Sequence, residues 1–185
     1  EMEAVAEKAD ERRIPKLVVF DLDACVWSPE MYELWGGGAP FRYCENSNTC
    51  VDRNGTVVEL LGAIPEVWQL ISSTEGCKIA IASRTDEPSW AREILAKFRL
   101  PNGRTMMEAL DRDLVEMYKG SKKKHLKAIR DKSGVPFAGM LFFDDDPVNI
   151  EHVSSLGVVS VLTPQGVTSS AWERGLDEYS RAKRM

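Results

Sequence analysis

The sequence predicts an α/β fold in which a parallel sheet carries helices on both faces. Short runs of consecutive apolar residues alternate along the chain with segments whose apolar residues recur at helical spacing. Unbroken apolar runs are typical of strands that are buried on both faces, as in parallel sheets. The chain has 185 residues, of which 43% are apolar, enough for one domain with a substantial core.

The strands of this sheet are predicted at the apolar runs of the sequence. In chain order they are Lys16–Phe20, Lys78–Ala82, Met140–Phe143 and Val158–Leu162. Parallel strands need crossover connections, and each interval is long enough for at least one helix. The carboxyl ends of all these strands are therefore expected at one edge of the sheet, where open α/β folds bind ligands.

The helices are predicted from apolar residues at helical spacing, together with signals for their first turns. Pro65 and Pro88 each suit a first turn, and Ser121 is predicted to cap the helix that follows Gly120. The predicted apolar faces, in chain order, consist of Val67, Leu70 and Ile71; Ala91, Ile94, Leu95 and Phe98; Leu126 and Ile129; Ile150, Val153 and Leu156; and Trp172, Leu176 and Tyr179.

The domain organisation is predicted to be simple. Residues 1–13 are charged and lack strand patterning, so we expect a flexible N-terminal arm ahead of a single domain at 14–185. Residues 28–63 interrupt the alternation with a glycine-rich loop, and Asp52–Gly55 predicts a hairpin turn before a strand at Thr56–Leu60. This insertion begins shortly after the first strand and should overhang the sheet edge.

The composition of the chain argues against several classes of binding partner and metal site. The formal net charge of −5 argues against nucleic acid as a partner. No apolar stretch approaches the length of a membrane span, so we expect a cytoplasmic protein. The sequence leaves open whether a leader was removed before Glu1, and it leaves the oligomeric state open. The four cysteines form no C-x-x-C pair, which argues against structural zinc, and a Cys44–Cys50 disulfide stays open.

Polar residues follow three of the predicted strands at the shared sheet edge. Asp21 and Asp23 end the first strand, Ser83 and Arg84 the second, and Asp144–Asp145 the third. Carboxylates gathered at one edge repel one another unless a cation lies between them. A divalent metal is the natural candidate, so the pattern predicts a metal-dependent site that handles phosphoryl groups.

The residue types also suggest roles in phosphoryl transfer. Asp21 is predicted to be the nucleophile, and Asp23 to deliver a proton to the leaving oxygen and later remove one from water. Ser83 and the backbone N–H of Arg84 are expected to bind phosphate oxygens. Lys122 lies in a first helical turn, where the helix dipole disfavours a cation, so we expect it to pair with phosphate and aspartates.

The remaining candidates support this site. Asp144 and Asp145 are predicted partners of the metal and of the lysine, and Asp146 is predicted only to cap a helix. Asn149, one turn later, is a candidate to support these ligands. Aromatic residues crowd the chain after the first acidic pair and either pack the insertion or form a rim for substrate: Trp27, Tyr32, Trp35, Phe41 and Tyr43.

Four strings in this order resemble the motifs of the haloacid dehalogenase (HAD) superfamily. They are Phe20–Asp23, Ala82–Thr85, Gly120–Lys122 and Phe142–Asp145. Further strings, Asp21-Leu22-Asp23-x-x-x-Trp27 and Gly134-Val135-Pro136-Phe137, resemble the eukaryotic magnesium-dependent phosphatases of that superfamily. The likeness spans about Ile14 to Tyr179, nearly the whole chain.

The resemblance implies a Rossmann-like fold with a short insertion and no large cap. It also implies that Asp21, the backbone carbonyl of Asp23 and Asp145 hold Mg²⁺, while Asp144 orients Lys122. Members of the family act on phosphotyrosine-type proteins and on sugar phosphates, so a phosphoprotein or a phosphorylated small molecule is the expected partner. The chain departs from the family's first motif at Ala24 and Cys25, where an aromatic residue and a threonine are usual.

Two other readings stay open on the sequence alone. A receiver-like signalling domain also combines aspartates, a hydroxyl residue and a lysine on a parallel sheet. Chain order argues against it, because Lys122 precedes the last acidic cluster and receivers place their lysine last. A catalytically silent binding module is the second alternative, and the retention of both Asp21 and Asp23 argues against that one.

Overall fold

The structure is a computed structural model that describes residues 14–184. The arm predicted at 1–13 lies outside the described residues. Nine strands are present among the described residues: β1 (Leu17–Phe20), β2 (Trp27–Ser28), β3 (Arg42–Cys44), β4 (Thr49–Val51), β5 (Val57–Leu60), β6 (Lys78–Ser83), β7 (Val115–Met117), β8 (Met140–Asp144) and β9 (Val159–Leu162).

Helices occupy most of the intervals between the strands of the main sheet. They are α1 (Ile64–Ser73), α2 (Pro88–Leu95), α3 (Met106–Ala109), α4 (Lys122–Ser133), α5 (Pro147–Ser154) and α6 (Ser169–Ala182). The predicted start signals act as expected. Pro65 and Pro88 lie in first turns, and the Ser121 side chain accepts a hydrogen bond from the backbone N–H of Lys124.

The main sheet has five parallel strands in the order β7-β6-β1-β8-β9. β1 lies at its centre, and all four of its side chains are buried, because a sheet with helices on both faces leaves a central strand no solvent. Val19 is in register with Ala80 on β6 and with Phe142 on β8. The predicted parallel sheet is confirmed.

Alternate residues of the strands feed two separate cores. Val18 and Phe20 face the core that contains α1, α2 and α6, and the Phe20 ring centroid lies 5.4 Å from Trp68 and 5.5 Å from Phe143. Leu17 and Val19 face the opposite core, beneath α4 and α5. The fold is therefore α/β with helices on both faces, as predicted.

The insertion after β1 forms a second, antiparallel sheet in the order β2-β5-β4-β3. The predicted turn is built by Asp52, whose carboxylate accepts the backbone N–H groups of Asn54 (2.9 Å) and Thr56 (2.7 Å). The same carboxylate accepts the N–H of Gly38 at 2.9 Å and so fixes the glycine-rich loop to the hairpin.

Several details of the predicted elements are wrong. Leu70 is 46% exposed on α1, and Trp68 is buried in its place, because the buried stripe follows Ile64, Val67, Trp68 and Ile71. Phe98 and Leu156 lie just beyond the ends of their helices. The edge strand β7 was not predicted, since it has only three residues and the charged Glu116 lies in the middle.

The disulfide that the sequence left open does not form. Cys44 and Cys50 are free thiols. On the β3–β4 pair, Cys50 lies opposite Tyr43 while Cys44 lies opposite Thr49. Because neighbouring positions of a strand point to opposite faces, the two thiols cannot meet.

Among residues 14–184, the structure contains no helix with the length and apolar composition required to cross a lipid bilayer.

Candidate active site

The polar strand ends predicted to converge do lie on adjacent strands. Asp21 follows the central strand β1, Ser83 ends β6 on one side, and Asp144 ends β8 on the other. The Asp21 backbone N–H still bonds to the Phe143 carbonyl at 2.9 Å, which keeps Asp21 in register with β8. The chain then turns sharply, with the Leu22 carbonyl accepting the N–H of Val26 at 2.7 Å.

Lys122 provides a buried positive charge at this edge. Its side chain is 1% exposed, and Nζ lies 2.5 Å from Asp21 Oδ1 and 3.2 Å from Asp144 Oδ2. Nζ also donates to the carbonyl of Ala82 at 2.5 Å. These bonds explain why a lysine stands in the first turn of α4 despite the helix dipole, as the sequence suggested.

Asp144 links Lys122 to the start of α5. Its carboxylate accepts Asn149 Nδ2 at 3.0 and 3.1 Å and the backbone N–H of Asp146 at 2.8 Å. Asp146 in turn caps α5 by accepting the N–H of Val148 at 2.8 Å, as predicted. Asp144 is thus held in one orientation, while its neighbour Asp145 is only half-buried.

Three carboxylates form a cluster of possible metal ligands. Asp21, Asp144 and Asp145 each offer an oxygen, and these oxygens lie within 4.8 Å of one another. Burial raises the pKa of Asp21, against the opposing attraction of Lys122, and burial together with Asp144 raises the pKa of Asp145. When ionised, the three carboxylates carry two more charges than the one ammonium balances, so this oxygen donor set fits a hard divalent cation such as Mg²⁺.

Asp23 lies beside this cluster but faces the insertion. Its Oδ1 accepts the indole N–H of Trp27 at 2.8 Å and the backbone N–H of Met31 at 3.1 Å. Burial raises the pKa of Asp23, although these hydrogen bonds act in the opposite direction. A carboxyl group with a raised pKa is suited to donating and accepting a proton.

The end of β6 places the Ser83 hydroxyl and the backbone of residues 84–85 at the same edge. Ser83 is buried, and its Oγ accepts the N–H of Thr85 at 3.2 Å. The side chain of Arg84 is half-exposed and lies 3.8 Å from Asp146, so the guanidinium faces that carboxylate. The Arg84 side chain is thus directed to Asp146, and phosphate binding by the Arg84 backbone N–H stays a prediction.

The aromatic residues of the insertion divide between packing and exposure. Trp27 and Phe41 are buried in the core, whereas Tyr32 is 63% exposed and Trp35 is 92% exposed. Tyr32 directly follows Met31, whose backbone holds Asp23, so it lies at the rim of the site. Cys25 is also buried, and its sulfur lies 3.5 Å from Thr163 Oγ1 at the end of β9.

Sequence reasoning missed several partners of the polar residues. The Ala82 carbonyl and the Met31 N–H carry no signal in the sequence, because any residue supplies a backbone group. Trp27 could have been found, because it follows Asp23 by four residues across a tight turn. Its indole has only one polar atom, which needs an acceptor when the ring is buried.

Comparison with known proteins places the chain in a family. The model of the Acid Phosphatase family matches residues 13–182. Human magnesium-dependent phosphatase 1 is 35% identical over 174 residues, which cover 92% of this chain and 90% of the human protein. A HAD-like hydrolase superfamily protein of Schizosaccharomyces pombe is 33% identical, covering 78% of this chain and 83% of that protein.

A solved structure shares the fold at low sequence identity. CbbY from Rhodobacter sphaeroides, determined in complex with phosphate, is 14% identical and has a TM-score of 0.57. The match covers 89% of this chain and 100% of that one. The family match and the relatives favour a hydrolase over the receiver-like and silent alternatives. The chain therefore belongs to the Acid Phosphatase family, within the HAD-like hydrolases, and is a phosphatase, as its motifs predicted.

Proposed function

We propose that the protein is a Mg²⁺-dependent phosphomonoesterase that works through a phospho-aspartate on Asp21. The observation that carries this proposal is the position of Asp21: it ends the central strand, bonds to the buried Lys122, and shares a carboxylate cluster with Asp144 and Asp145. The Mg²⁺ dependence of the human relative, by its name, supports the choice of metal.

The binding roles follow from what each residue contacts. Asp21, Asp145 and the backbone carbonyl of Asp23 would hold Mg²⁺. The ion supplies positive charge that offsets the repulsion between a carboxylate and a phosphate. The Ser83 hydroxyl, the Arg84 backbone N–H and Lys122 bind phosphate oxygens. Asp144 and Asn149 position these groups, since Asp144 bonds to both Lys122 and Asn149.

The reaction has two steps at phosphorus. An Asp21 carboxylate oxygen attacks phosphorus, the bond to the ester oxygen breaks, and Asp23 donates its proton to the departing oxygen. Water then attacks the phospho-aspartate, Asp23 takes a proton from that water, and the bond between phosphorus and Asp21 breaks. Inorganic phosphate and the unmodified carboxylate result, and Asp23 is protonated again for the next cycle.

Removal of metal is the first test of this function. We expect EDTA to lower the hydrolysis of an aryl phosphate by about 100-fold or more, because the two excess negative charges of the cluster then lose the cation that balances them. Added Mg²⁺ should restore the rate. Asp145→Asn should raise the Mg²⁺ concentration for half-maximal rate by about tenfold or more, since a ligand is lost.

The neighbouring Asp146→Asn variant is the matched control. Asparagine caps helices as well as aspartate does, so this change removes a carboxylate while keeping the cap on α5. Its Mg²⁺ requirement should stay within about twofold of the wild type. Full activity in EDTA, or equal Mg²⁺ requirements in both variants, would contradict the proposed metal site.

The exposed rim supports a preference among the expected substrates. Tyr32 leaves a large aromatic surface beside Asp23, the group that protonates the leaving oxygen, and Trp35 exposes a second ring on the same insertion. Aryl esters, including phosphotyrosine-type protein sites, can stack on such surfaces, whereas sugars bury less apolar area. We therefore favour the aryl class over sugar phosphates. The formal net charge of −5 argues against nucleic acid and anionic membrane surfaces as partners, and a cytoplasmic location stays an expectation.

Substitution at the rim distinguishes these substrate classes. Tyr32→Ser together with Trp35→Ser should lower kcat/KM for a phosphotyrosine peptide by roughly three- to tenfold, in line with the loss of one or two aromatic contacts. The kcat/KM for hexose 6-phosphate should change by less than about twofold. An equal loss for both substrates, or none for the peptide, would count against the aryl preference.

A further inference from the structure

A buried histidine on α4 has no part in the reaction just proposed. His125 is 0% exposed, and its Nε2 lies 3.0 Å from the carbonyl oxygen of Tyr118. Its ring also contacts the Tyr118 ring edge to face, with centroids 4.4 Å apart. Because a carbonyl only accepts, Nε2 carries the proton and His125 donates this bond.

Burial lowers the pKa of His125, which favours the neutral ring. Its other nitrogen, Nδ1, is buried without a hydrogen-bond partner among the described residues. An unpaired buried nitrogen costs free energy that an apolar side chain of similar size would avoid. Packing alone therefore does not account for a histidine at this position. The hydrogen bond to the Tyr118 carbonyl does, because an apolar side chain has no N–H to donate.

Tyr118 connects both sides of the phosphate-binding edge through its backbone. Its N–H donates to the Ser83 carbonyl at 3.2 Å, and its carbonyl accepts from His125. Ser83 ends β6, and Lys122 lies one helical turn before His125 on α4. The Tyr118 peptide groups thus tie the segment that carries Ser83 to the helix that carries Lys122.

We propose that His125 is a positioning residue that sets the spacing between Ser83 and Lys122. Its N–H···O bond holds residues 118–121 against α4, so that the hydroxyl and the ammonium reach the same phosphate group. This role rests on the proposed function of Ser83 and Lys122. Small displacements of catalytic groups are costly, since about 1 Å can lower a rate by roughly 100-fold.

Two amide variants test this role because their side chains carry the same amide group and differ only in length. In His125→Gln the side-chain N–H₂ can occupy the position of Nε2 and donate to Tyr118, whereas in His125→Asn it is one carbon too short. We expect the inhibition constant for inorganic phosphate and the KM for an aryl phosphate to rise about tenfold in His125→Asn. In His125→Gln both should stay within about threefold of the wild type.

Ile129→Val is the stability control. Ile129 is buried on the same helix, and loss of its methylene group weakens packing without touching Tyr118. Urea unfolding shows how far each variant is destabilised, and Ile129→Val should leave the phosphate inhibition constant unchanged. His125→Met, which fills the space without a donor, should behave like His125→Asn.

The results that overturn the proposal are distinct from those that overturn the phosphatase function. If His125→Asn or His125→Met keeps the wild-type inhibition constant, or if Gln and Asn raise it equally, His125 does not position the phosphate-binding groups. If instead the wild-type protein fails to hydrolyse aryl phosphates with Mg²⁺, the function itself is wrong, whatever the variants do.

Discussion

Replacement of Asp21 by asparagine is expected to lower kcat for aryl phosphate hydrolysis by at least about 10³-fold. The amide nearly matches the carboxylate in shape, so the position at the end of β1 is kept while the attacking charge is lost. Removal of a nucleophile leaves only the rate that binding and charge stabilisation provide. The measurement is a continuous assay of aryl phosphate hydrolysis in saturating Mg²⁺.

Asp86→Asn serves as the matched control for this substitution. Asp86 follows β6 at the same sheet edge, but it is exposed and pairs with Lys119 at 3.0 Å outside the carboxylate cluster. Its loss should change kcat by less than about twofold. Robust turnover by Asp21→Asn would exclude Asp21 as the nucleophile and would favour direct attack by water.

Substitution of Lys122 by methionine is expected to damage both activity and stability. Lys122 Nζ lies between Asp21 and Asp144, and its loss leaves these buried carboxylates without their counter-charge. Breaking a buried pair in this way typically costs about 3–5 kcal/mol. We expect a loss of that order in the free energy of unfolding, measured with urea in EDTA, and a fall in kcat/KM of about 100-fold or more.

Lys127→Met separates this effect from the general effect of removing a lysine. Lys127 lies on the same helix but is exposed to solvent, so its loss should change the free energy of unfolding by less than about 0.5 kcal/mol. Unfolding of Lys122→Met at the same urea concentration as Lys127→Met, or wild-type turnover by Lys122→Met, would contradict the role proposed for Lys122.

The parts of the site that sequence could predict depend on local signals. The apolar run before Asp21 fixes where β1 ends, and the same argument places Ser83 and Asp144 at the common edge. Ser121 and Asp146 were predicted as caps because capping uses residues two or three positions away. These interactions are short in sequence, so patterns of residue types reveal them.

The parts that sequence could not predict depend on contacts between distant segments. β7 is stable as a strand because it pairs with β6 and because Lys132 neutralises its buried Glu116 at 2.6 Å. Trp68 is buried against Phe20 of β1, and the role proposed for His125 depends on a backbone carbonyl. These features can be derived only once the order of the strands is known, since no local sequence pattern specifies which distant residue each of them contacts.

The most direct test of the phospho-aspartate is to identify the residue that receives phosphorus. Asp23→Asn should slow hydrolysis of the intermediate more than its formation from an aryl ester, whose leaving group needs little protonation. Borohydride converts an aspartyl phosphate to homoserine, which peptide mass spectrometry locates. We expect homoserine at position 21 after incubation with aryl phosphate and Mg²⁺. Homoserine elsewhere, or unimpaired turnover by Asp23→Asn with no trapped residue, would contradict it.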